Sequence, residues 1–287
     1  IGAGIIAGGP YGCSQGDLGQ ALGVCTQSPT GLTDEFLNGL VVDAKAREIE
    51  KTIDSLSSLP RSKVYVMQGK LDPTVKHGTG KAVARWYELA GVEKSRIKLR
   101  NQLDIGHALP TLSYGNPCEA DTEPPWVSAC GLDAAGELLG HIYGELKPRQ
   151  EKLQGDVITF DQTEFFEEGE LNSFTEKGYV YIPKVCREKS QCRVHVFFHG
   201  CQQGYSVLPR DRRIDDTKFD NPPYERIKRT LVDNAGLNEW ADNNRLIVLY
   251  PQVKRSLKPN NPRGCYDFWG FTTVGNQLFA TKEAPQI

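Results

Sequence analysis

The sequence lacks any apolar run long enough to cross a bilayer. Its longest apolar runs have the length of a strand, whereas a membrane-spanning helix needs about 20 apolar residues, so no membrane partner is expected. An excess of one charge sign is also missing, because 34 Lys and Arg residues stand against 36 Asp and Glu residues, for a formal charge of −2 and a pI near 6.3. This balance gives no electrostatic reason to expect nucleic acid as a partner.

The chain also lacks an initiator Met and a signal peptide. It opens inside a strand pattern at Ile1, and it stops at Ile287 where a terminal helix is expected to begin. We therefore expect a protein that is truncated at both ends, and the missing signal then says nothing about its compartment.

Strand and helix patterns alternate along the 287 residues, of which 39% are hydrophobic. This alternation predicts one α/β domain over residues 1–287, with a mostly parallel sheet flanked by helices. The predicted strands are Ile1–Ala7, Lys63–Gln68, Ser95–Leu99, Val157–Phe160, Gly178–Ile182, Arg193–Phe198 and Leu246–Tyr250. The predicted helices are Asp34–Leu56, Gly80–Ala90, Asp133–Leu146 and Tyr224–Asn243.

The eight cysteines show neither a Cys-x-x-Cys pair nor a zinc-type Cys/His spacing, so no metal site is expected. Disulfides are the favoured interpretation and indicate an oxidising, extracellular setting; eight free cytosolic thiols remain the alternative. The sequence allows about 105 connectivities, and the simplest closes the short loops first. That pairing is Cys13–Cys25, Cys118–Cys130, Cys186–Cys192 and Cys201–Cys265.

The most informative motif is an apolar strand, Val194–Phe198, that ends abruptly in His199-Gly200-Cys201. In α/β-hydrolases a His-Gly loop after an early strand supplies one backbone N–H of the oxyanion hole, and a Gly-x-Ser-x-Gly nucleophile elbow follows it. Here the loop lies about two-thirds along the chain and no convincing elbow follows. This order indicates a circularly permuted α/β-hydrolase.

Two further loops follow predicted strands and carry an acid and a histidine in hydrolase order. Asp72 comes after a Gly turn and before Pro73, and His107 lies on the loop after the next strand. Sites in open α/β sheets lie at the carboxyl ends of the strands. We therefore interpret Asp72 and His107 as the acid and base of a catalytic triad, although an Asp-Pro turn and a polar loop histidine remain alternatives.

The segment Gly12–Gly16 also matches Gly-x-Ser-x-Gly, with Ser14 as its serine. An elbow must join a strand directly to a helix. Here Gly8, Gly9 and Pro10 interrupt the chain first, and Cys13 is expected to be bridged. We reject Ser14 as the nucleophile.

Taken together, motifs along nearly the whole chain resemble the secreted, single-domain, circularly permuted poly(3-hydroxybutyrate) depolymerases. The matching motifs are Ala7–Cys13, Asp72–Val75, Gly106–Thr111, Asp133–Gly136, Ile142–Gly144, Tyr179–Pro183, His199–Gln203, Asn238–Asp242, Tyr250–Gln252 and Gly264–Phe268.

The resemblance implies a monomeric serine esterase without a cofactor, acting on a polyester or a short-chain hydroxyacyl ester. His107 would be its general base, oriented by Asp72, and the backbone N–H of Cys201 would be one oxyanion donor. The nucleophilic serine is expected upstream of Ile1, outside this chain. An esterase for plant-wall or small acyl esters and an inactive polymer-binding relative stay open.

Two segments near the expected site carry further predictions. If Cys201 bonds Cys265, the bridge would hold Tyr266, Phe268 and Trp269 beside the oxyanion loop as an apolar wall for substrate, with Tyr266 the preferred contact; ordinary core packing is the alternative. The charged segment Leu208–Arg229 is longer than the family pattern suggests, and we interpret it as a solvated loop or a rim that selects among esters.

Overall fold

The computed structural model describes residues 2–119, 124–166, 172–188, 191–206 and 227–272. In these ranges the strands are β1 (Gly2–Ile6), β2 (Lys63–Gly69), β3 (Ile97–Leu103), β4 (Leu109–Thr111), β5 (Asn116–Pro117), β6 (Val127–Ala129), β7 (Asp156–Asp161), β8 (Lys177–Ile182), β9 (Arg193–Val196) and β10 (Leu246–Tyr250). The α-helices are α1 (Leu18–Leu22), α2 (Asp34–Ile49), α3 (Gly78–Leu89), α4 (Ala134–Tyr143), α5 (Lys184–Arg187), α6 (Thr230–Asn234) and α7 (Leu237–Asn244). Short 3-10 turns cover Pro29–Gly31, Leu56–Arg61, Lys94–Arg96 and Thr163–Phe165.

The strands form three sheets. β1, β2 and β3 make an all-parallel sheet in that order. A second sheet has the order β7-β8-β10-β9, in which β8 runs antiparallel to both neighbours and β9 runs parallel to β10. Two parallel ladders join β4, β6 and β5 into a small third sheet. The predicted α/β class with mostly parallel pairing is confirmed, but the strands of the described residues form three separate sheets, and β1 and β9 each lie at a sheet edge.

Side-chain alternation along β2 explains why helices lie on both faces of its sheet. Tyr65 and Met67 belong to one apolar cluster, and Val64 and Val66 belong to another. Successive residues of a strand point to opposite faces, so a fully buried strand reads as a continuous apolar run. The first cluster also contains residues of β8, β10, α4 and α7, and therefore holds the two larger sheets on a common core.

Two predicted helices are wrong in extent for local backbone reasons. The first was expected to reach Leu56 but α2 ends at Ile49, and Lys51 just beyond it has a φ of 60°, which a continuing helix cannot accommodate. The second, Tyr224–Asn243, is interrupted by Gly236 at a φ of 81°, which separates α6 from α7. Residues 224–226 of that prediction lie outside the described residues.

Candidate active site

Asp72 lies on the loop that leaves the carboxyl end of β2. Its side chain is fully buried, and its Oδ1 accepts hydrogen bonds from the backbone N–H groups of Thr74 and Val75 at 2.8 and 2.7 Å. The Asp-Pro turn expected from sequence is therefore present, and it uses one carboxylate oxygen. The other oxygen, Oδ2, remains for side-chain partners.

His107 lies on the loop after β3 and contacts that second oxygen. Its Nδ1 lies 2.8 Å from Asp72 Oδ2, and its side chain is 28% exposed. The two loops also share a hydrogen bond of 3.2 Å from Leu71 N to Ile105 O. A Cβ at Gly69 would lie 2.0 Å from the Ile105 carbonyl oxygen, so only glycine allows this close approach. A buried acid thus orients a histidine whose ring reaches solvent.

The His199–Gln203 loop is a tight turn held by its own side chains. Gln203 N donates to Gly200 O at 3.2 Å, and Gly200 N donates to the Gln203 side-chain Oε1 at 2.8 Å. Gln202 has a φ of 65° and donates its N–H to Arg263 O at 2.7 Å. Within the described ranges, no acceptor takes the backbone N–H of Cys201. Among the described residues, that N–H is therefore free to bind an oxyanion.

His199 supports this turn from beneath and is 3% exposed. Its Nδ1 lies 2.8 Å from Gly200 O, and its Nε2 lies 3.3 Å from Val253 N. A carbonyl needs a donor and a backbone N–H needs an acceptor, so these contacts assign the neutral Nδ1–H tautomer. Burial lowers the pKa of His199 to about 4, which agrees with a neutral, structural ring.

A short hydrogen-bonded path joins the Cys201 turn to the His107 loop. Gln203 Nε2 donates to Trp126 O at 3.0 Å, and Leu109 N donates to the same oxygen at 2.8 Å. Leu109 is two residues after His107. The histidine and the free N–H of Cys201 therefore lie on adjoining loops, as an acyl-transfer site requires.

The four expected cysteine pairs are disulfides in the structure, and every cysteine is bridged. Cys201–Cys265 spans 64 positions and joins the Cys201 turn to the aromatic segment that begins at Tyr266. Cys13–Cys25 closes a loop that packs on the acid turn, since Lys76 N donates to Thr26 O at 2.7 Å.

The aromatic residues after Cys265 differ in exposure. Tyr266 is 6% exposed, packs its ring 5.0 Å from both Phe198 and His199 (centroid to centroid), and donates its hydroxyl to Pro251 O at 2.6 Å. This burial favours the alternative of core packing for Tyr266, and its role as the preferred substrate contact stays a prediction. Phe268 is 36% exposed and lies 4.6 Å from Trp269, so the apolar wall remains a prediction for these two residues.

The side chain of Ser14 is buried and hydrogen-bonded, which supports its rejection as the nucleophile. It is 4% exposed, and its Oγ donates to Phe268 O at 2.6 Å. His77, His141 and His195 also lie apart from the pair: His77 and His141 contact the backbone carbonyls of Asn101 and Arg96, and His195 contacts Tyr143.

The sequence reasoning missed two residues that the structure brings into the site. Gln68 donates to Asp72 Oδ2, and Gln203 braces the Cys201 turn. Gln68 lies in the buried strand β2 among apolar residues. A buried polar side chain needs hydrogen-bond partners, so its place in an apolar run could have marked it as a functional candidate. Gln203 was read as part of the family motif but without a role.

Three further features from the sequence are the charged segment, membrane spans and metal sites. Residues 208–226 of the charged segment Leu208–Arg229 lie outside the described residues. No helix in the described part of the chain is long and apolar enough to span a membrane. Among the same residues, no group of three or more His, Cys, Asp or Glu side chains could hold a metal ion.

Comparisons with known proteins give the following relatives. No protein-family model matches the chain. It is 31% identical over 290 residues to the poly(3-hydroxybutyrate) depolymerase of Delftia acidovorans, covering 100% of this chain and 52% of that protein. It is 28% identical over 291 residues to the polyhydroxybutyrate depolymerase of Talaromyces funiculosus, covering 94% of this chain and 75% of that protein. The chain thus spans about half the length of the first relative.

Two solved structures have a similar fold. One is a PHB depolymerase with a serine-to-alanine substitution, complexed with an R3HB trimer, at a TM-score of 0.77 and 26% identity. The other is the PHB depolymerase from Penicillium funiculosum, at a TM-score of 0.76 and 25% identity. Each alignment covers 97% of this chain and 84% of the solved chain.

Proposed function

Because the chain belongs to the poly(3-hydroxybutyrate) depolymerase family, we propose that it forms the acid, base and oxyanion part of a secreted serine esterase that hydrolyses short-chain polyhydroxyalkanoate. The observation that carries this proposal is the 2.8 Å contact between His107 Nδ1 and the buried Asp72 Oδ2. The free N–H of Cys201 on the adjoining loop supports it. The named activity of the relatives gives the substrate class.

In the proposed mechanism the carboxylate of Asp72 holds His107 with its Nδ1 protonated, which leaves Nε2 to accept the proton of a serine hydroxyl. The serine attacks the ester carbonyl, and the oxyanion that forms is stabilised by the Cys201 N–H. The protonated His107 then gives its proton to the departing alkoxide. Water, activated by His107, hydrolyses the acyl-enzyme in the second half of the cycle. No cofactor takes part in these steps.

The nucleophilic serine is proposed to lie upstream of Ile1. Among the described residues no serine hydroxyl is hydrogen-bonded to His107, and Ser14 is engaged with Phe268. Contacts of α4 with β1 and β9 indicate where the segment upstream of Ile1 would pack. A Cβ at Gly2 or Gly4 of β1 would lie 2.9 Å or 2.3 Å from side-chain carbons of Ile142 or Leu138 of α4.

The last residue of the same helix contacts β9. The Tyr143 hydroxyl lies 3.2 Å from His195 Nδ1 and 3.5 Å from Val194 O. The carboxyl end of α4 therefore touches residues of both edge strands, β1 and β9. Val194 and Val196 of β9 are 57% and 40% exposed. We propose that a further strand lies between β1 and β9, covers this edge and delivers the serine beside the Cys201 turn.

Secretion is proposed on the four disulfides, which form and persist in oxidising compartments. A monomeric state is proposed on the family resemblance alone.

The proposed function is tested by comparing this 287-residue chain with an N-terminally extended form in a p-nitrophenyl butyrate assay, followed by release of 3-hydroxybutyrate from polymer film. We expect activity in the extended form and none in the short form. Activity of the short form that disappears in Ser14→Ala would overturn the assignment of the nucleophile. An extended form that binds polymer but hydrolyses neither substrate would show a binding protein instead of an esterase.

A further inference from the structure

Gln68, on β2, is a buried polar residue whose two amide hydrogens are both used. It is 1% exposed, and its Nε2 lies 2.9 Å from Asp72 Oδ2 and 2.7 Å from Val75 O. A backbone carbonyl and a carboxylate are both acceptors, so this orientation of the amide is the one that satisfies both. Gln68 therefore donates to the same carboxylate oxygen that faces His107.

The hydrogen bonds around Asp72 divide between its two oxygens. Oδ1 accepts the backbone N–H groups of Thr74 and Val75, which belong to the acid's own turn. Oδ2 accepts Nδ1 of His107 and Nε2 of Gln68. The turn alone fixes one oxygen, and the carboxylate could still rotate about that anchor. The Gln68 amide fixes the second oxygen and with it the plane of the carboxylate.

Gln68 itself has little freedom to move. Its backbone is part of β2, and a Cβ at Gly80 would lie 2.7 Å from Gln68 Cβ, so the first turn of α3 packs directly against it. Its second hydrogen bond, to Val75 O, ties the same amide to the end of the acid turn. Because β2 is rigid, the Gln68 amide holds the Asp72 carboxylate at a fixed position relative to the strand.

We propose that Gln68 is a positioning residue for the acid–histidine pair: it holds Asp72 Oδ2 at the place from which it orients His107. This role deepens the proposed esterase function and rests on it for its effect on turnover. Small displacements of a reacting group can lower a rate by about a hundredfold. The effect of Gln68 is therefore expected on kcat and not on substrate binding.

The experiment replaces Gln68 by Met, which keeps the length of the side chain and removes both donors. Gln162→Met is a matched control, because Gln162 is also a buried glutamine, 4% exposed, whose Nε2 donates to Thr175 O and Gln252 O, away from Asp72. Free energies of unfolding in urea give the loss of stability of each variant. The first readout is the downfield proton resonance of His107 Nδ1–H in the 287-residue chain, which needs no activity. The second is kcat and KM of the extended form.

We expect Gln68→Met to broaden or shift the His107 resonance and to lower kcat about tenfold to a hundredfold with little change in KM, whereas Gln162→Met changes neither. In an Asp72→Asn background, Gln68→Met should lower kcat no further, because it acts through that carboxylate.

An unchanged resonance, or a loss of kcat equal to that of Gln162→Met, would overturn the proposal. If Gln68→Met does not fold, Gln68→Leu, which also lacks both amide donors, must give the same loss of resonance. An inactive extended form with a Gln68-dependent resonance would refute the esterase function but not the positioning role.

Discussion

Ser14 and Phe268, which are 254 positions apart, are joined by a hydrogen bond of 2.6 Å from Ser14 Oγ to the Phe268 carbonyl oxygen. The serine of the Gly-x-Ser-x-Gly match therefore holds the aromatic segment in place, which supports the proposal that the nucleophile is a different serine. The surrounding backbone agrees, since Gly12, Gln15 and Gly16 all have positive φ, as in a compact turn and not in a strand-to-helix elbow.

This relationship predicts the effect of Ser14→Ala in the extended form. Removal of a nucleophilic serine lowers kcat by roughly 10⁶-fold, whereas loss of one hydrogen bond to a supporting loop has a far smaller effect. We expect Ser14→Ala to retain most of its activity and to lower the free energy of unfolding by about 1 kcal/mol. Steady-state kinetics and urea unfolding measure the two effects, and an inactive but folded variant would contradict the assignment.

The acid and base are tested by substitution in the extended form. Asp72→Asn should lower kcat about 10⁴-fold because the amide no longer selects the required tautomer, and His107→Ala should lower it by as much or more. His77→Ala is the control, because the His77 ring contacts the Asn101 backbone carbonyl and not Asp72 or His107 in the described part of the chain. An essential His77 beside a dispensable His107 would reverse the assignment.

The parts of the fold that sequence predicted are those with a local pattern. Leu246–Tyr250 has the predicted bounds, and Asp72 follows β2, whose apolar run marks it as buried. His107 follows β3, which is more polar and only partly buried. Their contact could be inferred because parallel strands bring their carboxyl ends to one edge.

What the sequence could not predict depends on contacts between distant segments. The bond from Gln203 to Trp126 O leaves no periodic signal, although it joins two loops of the site. For Tyr266 the sequence left two roles open, because an aromatic residue next to a bridged cysteine fits a substrate wall and a buried support equally well. Its hydroxyl bond to Pro251 O favours support, and the substrate contact stays a prediction. The placement of β1 and β9 in different sheets is likewise set by strand pairing between distant segments, which the residues of a single strand do not specify.

The bridge between Cys201 and Cys265 predicts a non-additive loss of activity. The proposed oxyanion donor is a backbone N–H, so Cys201→Ala keeps the donor and frees its position. Cys265→Ala frees it in the same way, and the double variant should be no worse than either single variant. The loop of 64 positions corresponds to a loss of about 4 kcal/mol of stability in the chain-entropy model. Kinetics of the three variants, with non-reducing peptide mapping of the parent, provide the check. A double variant whose loss of activity equals the sum of the two single losses would show that the cysteines act independently and not through one disulfide.

Asp267 predicts how the aromatic segment acts on substrate. Its carboxylate, 1% exposed, accepts backbone N–H groups of Gly270, Phe271 and Thr272 at 2.6, 2.7 and 2.9 Å, and so folds the turn that presents Phe268. Asp267→Ala should raise KM for the ester more than it lowers kcat, because the wall contributes binding and not proton transfer.

The matched control for Asp267→Ala is Asp161→Ala. Asp161 also accepts from a backbone N–H and a hydroxyl, both of Thr163, but on an exposed turn after β7. We expect that control to leave KM unchanged. A lower kcat at constant KM in Asp267→Ala would place the aromatic segment in the chemical step instead.

Buried His199 predicts a loss of stability in mild acid. Burial lowers its pKa to about 4, whereas the unfolded chain binds the same proton near pH 6.5. Between these values the unfolded state holds more protons, so the contribution of His199 is complete above pH 6.5 and declines as pH falls toward 4, by up to about 1.4 kcal/mol per pH unit. His195, whose pKa burial also lowers to about 4, adds in the same direction.

Protonation of His199 would put a donor against Val253 N–H and loosen the turn that carries Cys201. Urea unfolding at several pH values between 7 and 5 should therefore show a slope that His199→Asn and His195→Asn each reduce; a parent whose stability is flat over this window would show that neither ring is held neutral by the fold.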